Sequence, residues 1–386
     1  MSLQPFTPEF NESAIPLPTE VVKILDDHCV RMLKASDHDM QTRPFTTLLS
    51  KFDPTFDTKH AWIPDYLEPL YGSQWHKTLN DEQRLALNHM GWVAHYGYAV
   101  LGELMTLKYN EYCADIFEAH GYDTIGKYLR RESDEERTHI KTFSHIAEVI
   151  EGKYLGRPMI RFRLAQGYNL PESGFKDFAP WKVTAFYYWL RGHQNIALRV
   201  REQDMQRVET PASTVKITTA HFDDETRHYA TSHVVAETMA EMDEGLPNEL
   251  RMNYISKLSF NGPQAGANWI WPTVQGTPSL LINETGKLLE HPIFGLSKAD
   301  IIEVMESVYT QRPENDRWEK MRSRAFRPTM GLNNKLAWIP SDLKNEDKVH
   351  DTMKFNLDKG LVFARKAFGD WKARYEQGIE DLVPAA

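Results

Sequence analysis

Cysteine is almost absent from this sequence of 386 residues, which contains only Cys29 and Cys113. Two cysteines are too few for a disulfide framework, and such sparing use is typical of a reducing compartment. No run approaches the roughly 18 consecutive apolar residues of a membrane-spanning helix, and residues 1–18 lack the basic and apolar regions of a signal peptide. These absences predict a cytoplasmic protein that does not enter a membrane.

Basic residues are fewer than acidic ones, 45 against 54, so the formal net charge is −9 at pH 7. This balance argues against nucleic acid or an anionic membrane surface as a general partner. Strand signals are scarce, and no internal repeat or low-complexity segment is visible. The remaining composition, 41% hydrophobic and 26% charged, is ordinary for a globular protein with a sizeable core.

Long helical periodicity dominates the middle of the chain. The pattern predicts four helices, at about residues 81–118, 124–152, 179–208 and 213–243. Four long helices in two antiparallel pairs form a four-helix bundle, so the predicted class is all-α. We expect three regions: an N-terminal wrap at 1–80 with a helix at 19–35, the bundle at 81–245, and a C-terminal helical extension at 246–386 packed on it, with helices near 298–309 and 350–378.

Two histidines and several acids are concentrated on the fourth helix, in "HFDDETRH" at residues 221–228. At about 100° per residue, His221, Glu225 and His228 (i, i+4, i+7) fall within about 60° of each other on a helix. They can therefore converge on one ion, whereas the alternative is a solvated charged face. A mononuclear zinc site built from these three residues is a further alternative.

The second helix carries a matching motif, because Glu136 and His139 form a Glu-x-x-His pair like Glu225 and His228. This pair on two of four helices is typical of the dimetal carboxylate bundles with a ferritin-like fold. Mixed carboxylate and imidazole ligands favour iron or manganese over thiolate chemistry. The acids that precede the two glutamates are predicted to accept hydrogen bonds from ligand imidazoles of the other helix, with a solvated face as the alternative. They are Asp224 and Glu135.

The first and third helices should each add a carboxylate. Antiparallel register places Glu103 and Glu111 near Glu136, and Glu103 is the better candidate because apolar residues flank it. Near the expected position on the third helix stand only non-acidic residues, so the ligand there stays open. The candidates are His193, Gln194 and, if the helix register differs by about one and a half turns, Glu202. His95 would replace a carboxylate if the first helix slid by two turns.

The segment "ITTAHFDDETRHYA" (217–230) resembles the corresponding helix of the diiron arylamine N-oxygenases, which carries a His-x-x-Asp-Glu-Thr-x-His run. The likeness covers roughly residues 60–245. The resemblance implies a ferritin-like bundle. The glutamate that the family carries on its third helix has no clear counterpart in this chain, where Gln194 stands near the expected position. Carried over to this chain, it implies the metal ligands Glu136, His139, His221, Glu225 and His228, with Glu103 added only if the helix register shifts.

This resemblance implies an O2-activating non-haem diiron monooxygenase, an oxidoreductase that oxidises an amine nitrogen of a small metabolite, aromatic or not, in a biosynthetic pathway. It would bind two Fe ions, with Fe/Mn as an alternative, and would need O2 and an external electron donor. Two other hypotheses stay open. One is a diiron enzyme that oxidises C–H bonds as a hydroxylase, desaturase or halogenase, and the other is a non-catalytic ferritin-like metal-binding protein. A homodimer formed through bundle faces is compatible with all three.

Overall fold

The computed structural model describes residues 16–42, 44–158, 180–239, 278–310 and 341–379, together with parts of 324–335. All regular elements in these ranges are helices, which confirms the predicted all-α class. The α-helices are α1 (Thr19–Thr42), α2 (Phe45–Leu49), α3 (Pro54–Asp57), α4 (Asp81–Ala119), α5 (Asp123–Tyr154), α6 (Pro180–Met205), α7 (Ser213–Met239), α8 (Pro278–Leu289), α9 (Lys298–Tyr309) and α10 (Glu346–Glu376).

The bundle consists of α4 packed along α5 and α6 packed along α7, with α4 also against α6. A reciprocal capping box of Asn80 and Gln83 starts α4, because each side chain accepts a backbone N–H of the other residue. Gly121, at a φ of 78°, makes the tight turn into α5. The four predicted helices are confirmed, with ends within a few residues for the first three, and the predicted end of the fourth lies outside the described residues.

The N-terminal region covers the groove between α5 and α7, where both α1 and α2 pack. The predicted helix at 19–35 is longer than expected, because α1 continues to Thr42. The segment after α3 is tied to α4 by Asn88, whose amide bonds the backbone of Trp62 and Ile63 and the carboxylate of Glu68. Gly91 allows this close approach, since a Cβ there would lie 2.8 Å from Ile63 Cδ1.

Helices α8, α9 and α10 pack against one another at the C-terminal side of the chain. The turn between α8 and α9 contacts the start of α4, where the Gln83 amide donates to the Ile293 carbonyl at 2.9 Å. Glu284 of α8 forms an ion pair with Arg157, just after the end of α5. Helix α8 was not predicted from the sequence. None of the described helices is long and apolar enough to cross a membrane. The division into three regions stays a prediction.

Candidate metal centre

Buried acids and histidines from α4, α5 and α7 converge inside the bundle and form two adjoining groups. Within each group, one ligand-type atom per residue lies within 4.8 Å of the corresponding atoms of the others. The four-residue group is Glu103, His139, His221 and Glu225, and the three-residue group is Glu132, Glu136 and His228. The structure thus brings together all six residues that the sequence suggested as ligands and adds Glu132.

The four-residue group is centred on the inward nitrogens of two histidines. His221 Nε2 lies 2.9 Å from Glu103 Oε1 and 3.7 Å from Glu225 Oε1. His139 Nδ1 lies 3.8 Å from Glu103 Oε1 and 4.0 Å from Glu225 Oε1. Glu103 is 5% exposed, whereas the rejected alternative Glu111 forms an exposed ion pair with Arg137. Placement of Glu103 next to these residues agrees with the register argument, and its ligand role stays a prediction.

The clustered residues on α5 have the same helical spacing as the motif on α7. Glu132, Glu136 and His139 follow each other at i, i+4 and i+7 on α5, as do His221, Glu225 and His228 on α7. His228 reaches across the bundle, and its Nδ1 lies 3.2 Å from Glu136 Oε1. The same nitrogen is 2.9 Å from Glu225 Oε1, so the two groups meet at His228 and Glu225.

Each of the three histidines turns its other ring nitrogen to an outer carboxylate. His139 Nε2 lies 3.1 Å from Asp224 Oδ2, and His228 Nε2 lies 2.9 Å from Glu135 Oε2. His221 Nδ1 lies 2.6 Å from Glu202 Oε1. A carboxylate at the outer nitrogen fixes the ring orientation and makes the inner nitrogen a better ligand.

Arg227 connects two of these outer carboxylates. Its Nη2 donates to Asp224 Oδ1 at 2.7 Å and to Glu135 Oε1 at 3.1 Å, and its Nη1 contacts Asp39 of α1. Ser36 of α1 donates its hydroxyl to Glu135 at 2.5 Å. Helix α1 therefore contacts Glu135 directly and Asp224 by way of Arg227. These two acids in turn orient His228 and His139.

Burial and close charges oppose each other in setting the pKa values of the central groups, and the pKa values of Glu103 and His139 are both raised. Burial raises the pKa of Glu103 to about 7, although His221 opposes the shift. Burial would lower the pKa of His139, but the carboxylates of Asp224 and Glu136 raise it to about 9. A histidine binds a metal in its neutral form, so metal binding at this centre would compete with protons.

The donor set fits a pair of iron or manganese ions. His139 Nδ1, Glu103 Oε2 and Glu136 Oε2 are buried and have no hydrogen-bond partner among the described residues. Buried polar atoms without a partner are rare and call for a ligand. Carboxylate oxygens and imidazole nitrogens without a thiolate are the ligands that non-haem iron and manganese accept in proteins.

The third bundle helix, α6, brings a cation to the centre in place of the expected acid. Arg191 donates from Nη2 to Glu136 Oε1 at 2.9 Å, and its Nη1 contacts Glu132 Oε1. Two of the sequence candidates lie outside both groups: Glu202 behind His221, and His95, whose Nε2 is 3.7 Å from Glu202 Oε1. The side chains of the other two, His193 and Gln194, lie outside the described residues.

The sequence argument missed Glu132 and Arg191. The signal for Glu132 was the i, i+4, i+7 spacing on α5, which repeats the spacing on α7. No comparable signal identified Arg191, because a single arginine on a helix usually lies at the solvent-exposed surface.

Comparison with known proteins gives one family match. Residues 30–179 match the family described as acyl halogenase CylC-like, over less than half of the chain. The match supports a diiron enzyme of the oxygenase or halogenase type. No curated protein and no solved structure matches this chain.

Proposed function

We propose that this protein is an O2-activating non-haem oxidoreductase with two iron ions bound between α4, α5 and α7. The observation that carries the proposal is the pair of adjoining donor groups, in which an outer carboxylate orients each of the three histidines. The chemistry that a bound pair of ferrous ions supplies is two-electron reduction of O2 and oxidation of a nearby substrate. An external electron donor would restore the ferrous state.

The chain itself contributes positioning, charge balance and exclusion of water. Glu103, Glu136 and Glu225 would supply anionic oxygen ligands, and His139, His221 and His228 would supply neutral nitrogen ligands. All six side chains are at most 5% exposed, so bulk water has little access to the centre. A buried centre keeps electrostatic interactions strong and limits side reactions of the oxidant with solvent.

Oxidation or halogenation of a C–H bond in an acyl substrate is the finer function that we propose. The matched segment, residues 30–179, contains four of the seven clustered residues: Glu103, Glu132, Glu136 and His139. A centre without an acid from α6 also leaves coordination positions for O2 and for a small anion such as halide.

The test is turnover of Fe(II)-loaded protein with O2, a reductant and fatty acyl substrates, with and without chloride or bromide. The proposal predicts acyl products with new C–O, C=C or C–halogen bonds by mass spectrometry. Halogenated products formed only with added halide identify a halogenase. Loss of turnover in Glu136→Ala links the products to the centre.

Oxygenation of an arylamine nitrogen is the second candidate. It is favoured by residues 221–228, near the middle of α7, in which His221, Asp224, Glu225, Thr226 and His228 match the pattern of arylamine N-oxygenases. The same assay with p-aminobenzoate in place of the acyl substrate separates the candidates, because N-oxygenation gives hydroxylamine, nitroso or nitro products and leaves acyl chains unchanged. Iron uptake without organic turnover in either assay, and a hollow-shell assembly on gel filtration, would favour a ferritin-like storage protein.

A further inference from the structure

We infer that Arg191 is a resident counter-cation that makes the two metal positions unequal. The four-residue group takes the first divalent ion, and the three-residue group takes the second only when Arg191 gives up its contacts with Glu132 and Glu136. This inference rests on the proposed dimetal function. It adds the order in which the two metal ions bind and names Arg191 as the residue that sets this order.

The guanidinium of Arg191 occupies one carboxylate oxygen of each acid in the three-residue group. It is 2% exposed, and its two carboxylate partners, Glu132 and Glu136, are 0% and 1% exposed. The oxygen that Arg191 Nη2 contacts at 2.9 Å, Glu136 Oε1, is the one that faces His228 Nδ1 at 3.2 Å. A divalent ion bound by Glu136 and His228 would therefore compete directly with the guanidinium.

The positive charge of Arg191 is permanent. Arginine stays protonated in proteins, so it cannot release its charge to admit a metal, as a histidine can. A cation a few ångströms away in a dry interior strongly opposes binding of another cation.

The four-residue group has no such competitor among the described residues. The ion-pair partners of Glu103 are His139 and His221, and those of Glu225 are all three clustered histidines. Imidazoles can lose a proton and become ligands themselves. Metal binding at this group therefore meets only side chains that can themselves serve as ligands, whereas binding at the three-residue group must displace the guanidinium of Arg191.

Titration of the full-length protein with Mn(II) by isothermal calorimetry tests the inference without catalytic turnover. The wild type should bind two ions in two steps of clearly different affinity. In Arg191→Met the first step should change little, and the second should tighten by about tenfold or more, because the competing charge is gone. The thermal unfolding temperature of the ion-free variant should fall, and Mn(II) should restore it more than in the wild type.

Two further variants separate charge from packing. Arg191→Lys keeps the charge but cannot bridge both carboxylates, so the two steps should stay unequal and the second should change by less than about threefold. This variant also tests the inference if Arg191→Met fails to fold. Arg130→Met removes an exposed arginine that pairs with Asp115 and Glu118 and should leave both steps unchanged.

The possible outcomes distinguish failure of this inference from failure of the proposed dimetal function. If the two Mn(II) binding steps of the wild type have equal affinity, the counter-cation role of Arg191 is wrong. The same follows if Arg191→Met leaves the second step unchanged or weakens it. In both cases the proposal of a dimetal enzyme is unaffected. A second step that tightens tenfold in Arg191→Lys would show that geometry rather than charge sets the order. Fewer than two ions bound by the wild type would reject both proposals.

Discussion

Glu202 of α6 lies directly behind His221 of α7, with its Oε1 2.6 Å from His221 Nδ1. Glu202 of α6 therefore faces the outer nitrogen of the candidate ligand His221 and not the centre itself. Burial raises the pKa of Glu202, but the contact with His221 outweighs burial and holds it below its ordinary value, so the carboxylate stays ionised. An ionised acceptor at Nδ1 leaves Nε2 free to bind a metal.

Removal of this carboxylate should weaken metal binding. In Glu202→Ala we expect a 10- to 100-fold loss of affinity, on the order typical for outer partners of ligand histidines, because His221 loses the group that fixes its ring. Competition with a chromophoric chelator measures the loss. Glu111→Ala, which breaks only an exposed ion pair, is the control. Equal affinities in Glu202→Ala and wild type would refute a positioning role for Glu202.

Arg227 should couple stability to the geometry of the centre. Its replacement by Met leaves Asp224, Glu135 and Asp39 without their shared cation, and breaking a buried pair of this kind costs about 3 kcal/mol of unfolding free energy. Because Asp224 and Glu135 hold His139 and His228, Mn(II) affinity should also fall by about tenfold. Chemical denaturation and calorimetry measure the two effects. A stability loss with unchanged affinity would mean that Arg227 supports only the fold.

The close approach between the N-terminal region and α4 should make Gly91 intolerant of a side chain. In Gly91→Ala the new Cβ would lie 2.8 Å from Ile63 Cδ1 and 3.0 Å from Pro69 Cδ, so overpacking should cost about 1–3 kcal/mol of unfolding free energy. Gly152→Ala, on α5, is the matched control because no heavy atom lies within 4 Å. It should stabilise by about 0.5–1 kcal/mol in urea denaturation. Equal effects of the two substitutions would contradict the packing shown here.

His28 should make the fold sensitive to acid. Burial, assisted by the charge of Arg31, lowers its pKa to about 4, from the ordinary value near 6.5. Below pH 6.5 the unfolded chain binds a proton that the folded chain does not, so unfolding free energy should fall as the pH drops from about 6.5 to about 4. The loss is limited to roughly 3 kcal/mol.

The variant His28→Gln isolates this contribution, because glutamine can still reach Thr231 Oγ1, the partner of His28 Nε2 at 3.0 Å. Its unfolding free energy, measured by denaturation at several pH values, should vary less over this pH range than that of the wild type. His38→Gln, at an exposed position of the same helix, should match the wild type. A parallel pH dependence in His28→Gln and wild type would rule out His28 as the sensor.

The sequence carried enough information to predict the bundle and to name six of the seven residues that cluster inside it. Helix periodicity predicted the four long helices, and antiparallel register favoured Glu103 over Glu111. Periodicity works here because the helices are long and each apolar face repeats many times. Glu132 could also have been found, since its spacing to Glu136 and His139 repeats that on α7.

Other features depend on tertiary contacts that no local pattern shows. The orientation of Glu202 towards His221 depends on how α6 and α7 rotate against each other, and the burial of Arg191 depends on two acids from α5. Helix α8 was missed because Pro278 and Gly286 are common in turns. In the structure Pro278 opens the helix, where its missing N–H costs nothing. Gly286 admits the ring of Trp371.

The central claim is that one chain holds two metal ions between α4, α5 and α7. Elemental analysis after anaerobic Fe(II) loading and desalting tests it most directly, for wild type, Glu136→Ala and His221→Ala. Two irons per chain in the wild type, reduced in both variants, is the predicted result. One iron or none in the wild type, or a count that neither substitution changes, would contradict the dimetal centre.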